Sequence, residues 1–233
     1  MPARSDDLSF PVRSPDAVPG VSDVLFVCLA NRCRSPFAAA IAARLFDDRV
    51  RIHSGGLLPG GSSMPSTGID VGAMLGIDFR SHRSRELDRG DLAGFDLVLT
   101  MAKEQSRELV ADDPRLQNRV FTLKQFARWI AANPLPAGER LGPWLDRVAG
   151  PRTPAELIGA GPEDDVADPI QSPVGEWIEM ARDLTSLIGE VARGLTPVDT
   201  PTPEVAATVS GSRAELRRPR ATGQTRRERR ERG

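Results

Sequence analysis

The chain has 233 residues, enough for one sizeable core, with 39% hydrophobic and 27% charged residues, the balance of an ordinary globular domain. The net charge of −1 conceals an arginine-rich end: residues 212–233 hold nine Arg against three Glu, which leaves the remainder acidic and excludes a uniformly basic nucleic-acid-binding domain. Two cysteines, Cys28 and Cys33, are too few for a disulfide scaffold. The first twenty residues mix charge with Pro and Gly and carry no apolar h-region, so no secretory leader is expected. No apolar run is long enough for a transmembrane segment. A cytoplasmic, reducing compartment is the expectation.

In chain order, residues 1–20 read as a flexible leader. Asp23 to Cys28 is a short continuous apolar run, the pattern of a strand buried on both faces. A loop from Leu29 to Arg34 then leads into Ser35 to Phe46, an alanine-rich helix with Pro36 in its first turn. Val50 to His53 reads as a second strand, and Thr67 to Leu75 as a helix closed by Gly76. Asp96 to Met101 is another buried strand and Lys103 to Val110 a helix. Val120 and Phe121 begin a further strand, with Leu123 to Ala132 helical after it. Strands alternating with helices predict an α/β fold: one three-layer, doubly wound domain around a parallel sheet, flavodoxin-like, over residues 21–195.

Gly-Pro and Pro-x-Pro pairs break the rhythm over 133–167, which reads as an extended loop with short helical pieces around Trp144 to Val148 and Ala155 to Ile158. Trp144 is a candidate pocket lid or a packing anchor. Trp177, Met180, Ala181, Leu184, Leu187, Ile188, Val191 and Leu195 fall at helical spacing and predict an amphipathic closing helix from Gly175 to Leu195. Residues 196–233 read as disordered, with Glu228 and Glu231 interspersed among the arginines as in a solvated tail.

The chemistry concentrates in Cys28-Leu-Ala-Asn-Arg-Cys-Arg34-Ser35. A loop between a buried strand and a helix N-terminus converges its N–H groups on an anion, and the helix dipole adds positive potential there. A cysteine at the strand end faces that field, which favours its thiolate. An arginine closing the loop forks two N–H donors onto phosphate oxygens. Ser35 can donate its hydroxyl to the sulfur. Leu29, Ala30, Asn31, Arg32, Cys33 and Ser35 are therefore the candidate substrate-binding residues, around Cys28 and Arg34. The competing reading is a buried core thiol at a strand end. Two Cys and two His without zinc-site spacing predict no metal.

This stretch resembles the phosphate loop of low-molecular-weight protein tyrosine phosphatases, V-C-x-G-N-x-C-R-S-P, with Val27, Cys28, Asn31, Cys33, Arg34, Ser35 and Pro36 matching. Ser54-Gly-Gly, Gly76-Ile-Asp-Phe-Arg-Ser-His82-Arg, Asp96 to Met101 and Asp168-Pro169 resemble further family segments in the same order. The resemblance implies a cofactor-free phosphomonoester hydrolase that acts on a phosphorylated protein through a cysteinyl-phosphate. Cys28 would be the nucleophile, Arg34 the clamp and Asp168 the general acid and base. It also implies Asn31, Ser54 and His82 as a hydrogen-bonded support behind the loop. Asp168 is otherwise a turn residue, since Asp-Pro initiates turns, and Asp164 and Asp165 are neighbouring candidates. His53 has no counterpart and reads as structural. Cys33 would either pair with Cys28 on oxidation or pack beneath the loop.

Several positions depart from the family. Ala30 stands where the family has glycine, which would strain the loop if a glycine-only backbone angle is needed. Arg32 stands where tyrosine-directed members carry an aliphatic residue and protein-arginine phosphatases a threonine. Ile170 and Gln171 replace the tyrosines after Asp-Pro. Ala102 replaces an aspartate after the strand methionine. The rival expectations are a protein-arginine phosphatase, an arsenate reductase using an external thiol, since no cysteine follows Cys33, and a non-catalytic phosphate-binding module.

Overall fold

The computed structural model describes residues 22–149 and 162–196. The leader, the tail beyond residue 196 and the helical piece expected at Ala155 to Ile158 lie outside the described residues. Four strands, β1 (Ser22–Cys28), β2 (Val50–Gly56), β3 (Leu97–Thr100) and β4 (Val120–Thr122), form one parallel sheet in the order β2-β1-β3-β4. The helices are α1 (Arg34–Leu45), α2 (Ser66–Met74), α3 (Lys103–Asp112), α4 (Leu123–Ala132), α5 (Leu141–Val148) and α6 (Val174–Leu195).

The alternation of β1 explains the layering. Val24 and Phe26 are buried against α1, α4 and α6, while Leu25 and Val27 are buried against Leu92, Phe95 and Leu109 on the other face. Both faces are covered, which is why the strand reads as an unbroken apolar run. The closing helix lays Trp177, Met180, Leu184, Ile188 and Val191 into the first of these cores. Among the described residues no helix is long and apolar enough to cross a membrane.

Two elements differ from the sequence reading. The second strand does not stop at His53 but runs through Gly56, because β1 continues to pair with it as far as Cys28 opposite Gly56. The 133–167 segment contains α5, which starts at Leu141 and buries Leu141, Trp144 and Leu145. The Trp144 ring lies 5.2 Å from that of Trp129, in a cluster with Phe121 and Phe126. At 3% exposure it is a packing anchor and not a lid. Gly76 ends α2 as expected: at φ 70° it donates to the Ala73 carbonyl while Ile77 N–H reaches that of Gly72, a Schellman closure.

With β2 and β3 on opposite sides of β1, the chain reverses direction across the sheet at β1. In open parallel sheets the crevice beyond the strand C-termini at such a switch point is the natural ligand site. Cys28 is the last residue of β1.

Candidate active site

The loop from Cys28 to Arg34 turns back on itself through Asn31, whose φ of 48° is the one left-handed value among the described non-glycine residues. Asparagine tolerates that region better than most side chains. Ala30 is not in it, so the expected strain at Ala30 is absent: the left-handed step falls one residue later. What the loop needs is room beside it. A Cβ on Gly56 would stand 2.7 Å from Asn31 N and 2.8 Å from the Ala30 carbonyl carbon, so the end of β2 must be glycine for the loop to lie against it. The sequence reading placed Gly56 in a matching segment but gave it no role.

Asn31 binds this loop from within. Its Nδ2 donates to Ser35 Oγ at 2.9 Å and to Ser54 Oγ at 3.1 Å, and its Oδ1 accepts from Arg85 N–H at 3.0 Å. Its carbonyl accepts from His82 Nε2 at 2.7 Å, which fixes the proton on that nitrogen. Burial, with Arg83 and Arg85 nearby, pushes the His82 pKa below its ordinary value and favours the neutral ring, against the pull of the Asn31 carbonyl. Asn31, Ser54 and His82 are thus brought together behind the loop.

Cys28 Sγ receives two hydrogen bonds, from Asn31 N–H at 3.2 Å and from Ser35 Oγ at 3.0 Å. A sulfur held at a helix N-terminus as an acceptor of two donors is arranged for negative charge, which a core thiol does not require. The first N–H groups of α1 lack intrahelical acceptors by geometry and supply further donors there. Cys33 is turned the other way, its sulfur 3.6 Å from Met180 Sδ of α6. Burial raises its pKa strongly, with Asp168 and Cys28 adding to the effect, so it is kept as a thiol. Leu29 is exposed at 46% beside Leu58 at 44%, whose N–H bonds the Leu29 carbonyl; Leu58 carried no signal in the sequence.

Arg34, 7% exposed, spans the gap to the segment before α6. Its Nη1 donates to Val166 O at 3.2 Å and its Nη2 to Asp168 Oδ2 at 2.5 Å. Its Nε–H is buried without a protein acceptor among the described residues, a donor suited to an anion in the loop. Of the three candidate carboxylates only Asp168 reaches the loop. Asp164 is 4% exposed and ion-paired to Lys103 and Arg128, which hold its pKa down against its own burial. Asp165 Oδ1 accepts from Lys103 N–H at 2.8 Å, so it caps α3 from outside. That cap does the work for which Ala102, at the helix start, has no oxygen; Gln105 Oε1 takes the N–H groups of Met101 and Ala102. His53, read as structural, bonds Asp23 Oδ1 at 2.7 Å and lies edge-on to Phe95, near the start of β1 and away from the loop.

Residues 23–135 match the family model described as low molecular weight phosphotyrosine protein phosphatase; Asp168 lies beyond that stretch. The chain is 33% identical over 115 residues to the "Probable low molecular weight protein-tyrosine-phosphatase EpsP" of Ralstonia solanacearum, covering 49% of this chain and 79% of that protein. It is 27% identical over 173 residues to the protein-arginine-phosphatase of Geobacillus stearothermophilus, covering 74% of this chain and 95% of that protein. The fold superposes on the low molecular weight protein tyrosine phosphatase of T. tengcongensis with a TM-score of 0.55 and 29% identity, over 75% of this chain and 99% of the other. With the strand order, the Cys28 loop and these relatives in agreement, the chain belongs to the low molecular weight phosphotyrosine protein phosphatase family.

Proposed function

We propose that the chain hydrolyses phosphotyrosine in proteins, in two steps through a cysteinyl-phosphate on Cys28. The observation that carries this reading is the sulfur itself, an acceptor of both Asn31 N–H and Ser35 Oγ at the N-terminus of α1. In the first step the Cys28 sulfur forms the S–P bond as the P–O bond to the substrate breaks, while Arg34 and the loop amides hold the equatorial oxygens. Asp168 gives its proton to the departing oxygen, then takes one from the water that cleaves the S–P bond. Phosphate leaves and the sulfur returns to its two donors. Ser35 stabilises that sulfur as the leaving group of the second step.

Arg34 and Asp168 are joined before substrate arrives. A dianionic phosphate competes with Asp168 for the guanidinium, and the freed carboxylate takes up a proton from solvent, which it then passes to the leaving oxygen. The second reading, a protein-arginine phosphatase, is favoured by the length of the match to the Geobacillus relative. Arg32 weighs against it: its Nε donates to Ser63 O at 2.8 Å, which holds a cation at the loop where a phosphoarginine side chain would bring like charge. A reducing compartment such as the cytoplasm suits a catalytic thiolate.

The test is turnover of p-nitrophenyl phosphate and of matched phosphotyrosine, phosphoarginine and phosphoserine peptides by the wild type and Cys28→Ser. The expected result is phosphotyrosine hydrolysis that vanishes in Cys28→Ser. Hydrolysis surviving that change overturns the mechanism, and preference for phosphoarginine installs the second reading.

A further inference from the structure

Most arginines among the described residues have a carboxylate partner, and a cluster beside the Cys28 loop does not. Arg49, Arg80 and Arg115 each bind an aspartate two residues earlier, Asp47, Asp78 and Asp113, so their charge is neutralised locally. Arg89, Arg119, Arg128 and Arg147 have carboxylate partners as well. Arg32, Arg83 and Arg85 bind no carboxylate among the described residues, and they stand together. Arg32 is anchored by its Nε on the Ser63 carbonyl, and Ser63 bridges Arg83 in an antiparallel pair. Arg83 is exposed and is fixed by bonds from Nη1 to the carbonyls of His82 and Arg80. Arg85 is bound through its N–H to Asn31 Oδ1, and the charges of Arg83 and Arg85 both reach His82, whose ring touches the Asn31 carbonyl. Glu86 follows Arg85 but is exposed and pairs with neither.

We propose that this Arg32–Arg83–Arg85 rim selects substrates, taking acidic residues that flank the phosphorylated one in a protein segment. The inference rests on the phosphatase reading of the loop and adds the class of sequence it acts on. Three arginines clustered beside the loop without carboxylate partners leave a local positive charge for what binds there. The anchored guanidiniums of Arg32 and Arg83 lose less freedom on binding than free side chains, and the guanidinium fork suits carboxylates. The chain has no tyrosine to grip a substrate ring, and Ile170 and Gln171 follow Asp168-Pro169, so charge at the rim supplies recognition that stacking does not. The chemistry fits an acidic polypeptide; three cations beside a single phosphate pocket do not make the extended track that a nucleic acid needs.

The test measures binding separately from turnover. Two phosphotyrosine peptides, one with Glu flanking the phosphorylated residue and one with Gln there, are titrated onto the full-length Cys28→Ser protein. The Glu peptide is expected to bind about tenfold more tightly, since two or three exposed pairs each contribute a few-fold. That preference should collapse in ~1 M salt, where the screening length falls to about 3 Å, and should fall close to unity in an Arg83→Gln/Arg85→Gln background. Equal affinities at low salt overturn the rim proposal, as does a preference that both changes leave intact. The salt arm needs no altered rim, so it decides the matter even if the double variant fails to fold. Wild-type turnover of p-nitrophenyl phosphate, run alongside, reads the phosphatase assignment alone: its absence overturns that assignment whatever the peptide affinities show.

Discussion

The Arg34 guanidinium meets the Asp168 carboxylate at 2.5 Å across 134 residues of sequence, joining the proposed clamp to the proposed acid before any substrate is bound. Neighbouring Asp165 is only three residues away and is committed to the start of α3. The two aspartates therefore give opposite expectations on substitution.

Asp168→Asn should slow hydrolysis of aryl phosphates by about 10²-fold or more when the leaving group is poor, and much less when it is good. Losing its ion pair also frees Arg34, so inorganic phosphate should inhibit this variant more strongly. Asp165→Asn should leave the leaving-group dependence as in wild type and lower stability by about 1 kcal/mol, the value of a helix cap. A leaving-group series with both variants, together with urea unfolding, checks the pair; a steep leaving-group dependence in Asp165→Asn would reverse the assignment.

Gly56→Ala places a methyl against the backbone of Ala30 and Asn31, neither of which can move as a flexible side chain could. A stability loss of about 1–3 kcal/mol is expected from the forced shift. Activity should fall further than the unfolded fraction explains, because the displaced atoms include the Asn31 N–H that reaches Cys28. Unfolding curves and kcat measured on the same preparation separate the two effects.

Asn31 holds both a left-handed backbone and three side-chain hydrogen bonds. Asn31→Gly keeps the first and loses the second, while Asn31→Ala loses both. Each should unfold at lower urea than wild type, by about 1–3 kcal/mol for the buried partners left unsatisfied. Alanine should be the worse of the two, in contrast to the usual order within helices. If the two variants are equally stable, the backbone angle contributes nothing.

His82 titrates below its ordinary value of 6.5 in the folded chain because it is buried beside two arginines. The unfolded chain then binds more protons over the window beneath 6.5, so stability rises with pH through that window. The His82 contribution is full above the ordinary histidine value and is lost as pH falls through the folded one. Unfolding free energy measured from pH 7.5 down to about pH 5 should therefore decline more steeply for wild type than for His82→Gln. Parallel curves would show that His82 does not titrate as its burial requires.

The loop and its flanking strand and helix were legible in the sequence because the signals that mark them are local: the apolar run of β1, the Cys28–Ser35 stretch and Pro36 lie within fourteen residues. Gly76 was legible for the same reason, since a left-handed helix end announces itself by its residue type. Distant partnerships were not, apart from those of Asn31, Ser54, His82 and Asp168, which the family resemblance implied. Nothing in the sequence around Gly56 says that its missing side chain makes room for Ala30 and Asn31. The choice among Asp164, Asp165 and Asp168 stayed open because three nearby carboxylates differ only in what the folded chain sets opposite them. Trp144 read as lid or anchor until Trp129 was found beside it. Ala30 looked like a strained replacement because the motif marks where glycine is usual, not which residue carries the turn.

The segment bearing Asp168 is also moored. Val166 N–H bonds the Met101 carbonyl at 2.8 Å, and Asp165 fastens to the head of α3, so two consecutive residues tie it to the end of β3. An acid berthed in this way need not be delivered by a closing flap. If Asp168 is that acid, the barrier to turnover is expected in bond making and breaking and not in a conformational gate. Solvent viscosity should leave kcat nearly untouched, and the acidity of the departing alcohol should govern turnover far more in Asp168→Asn than in wild type.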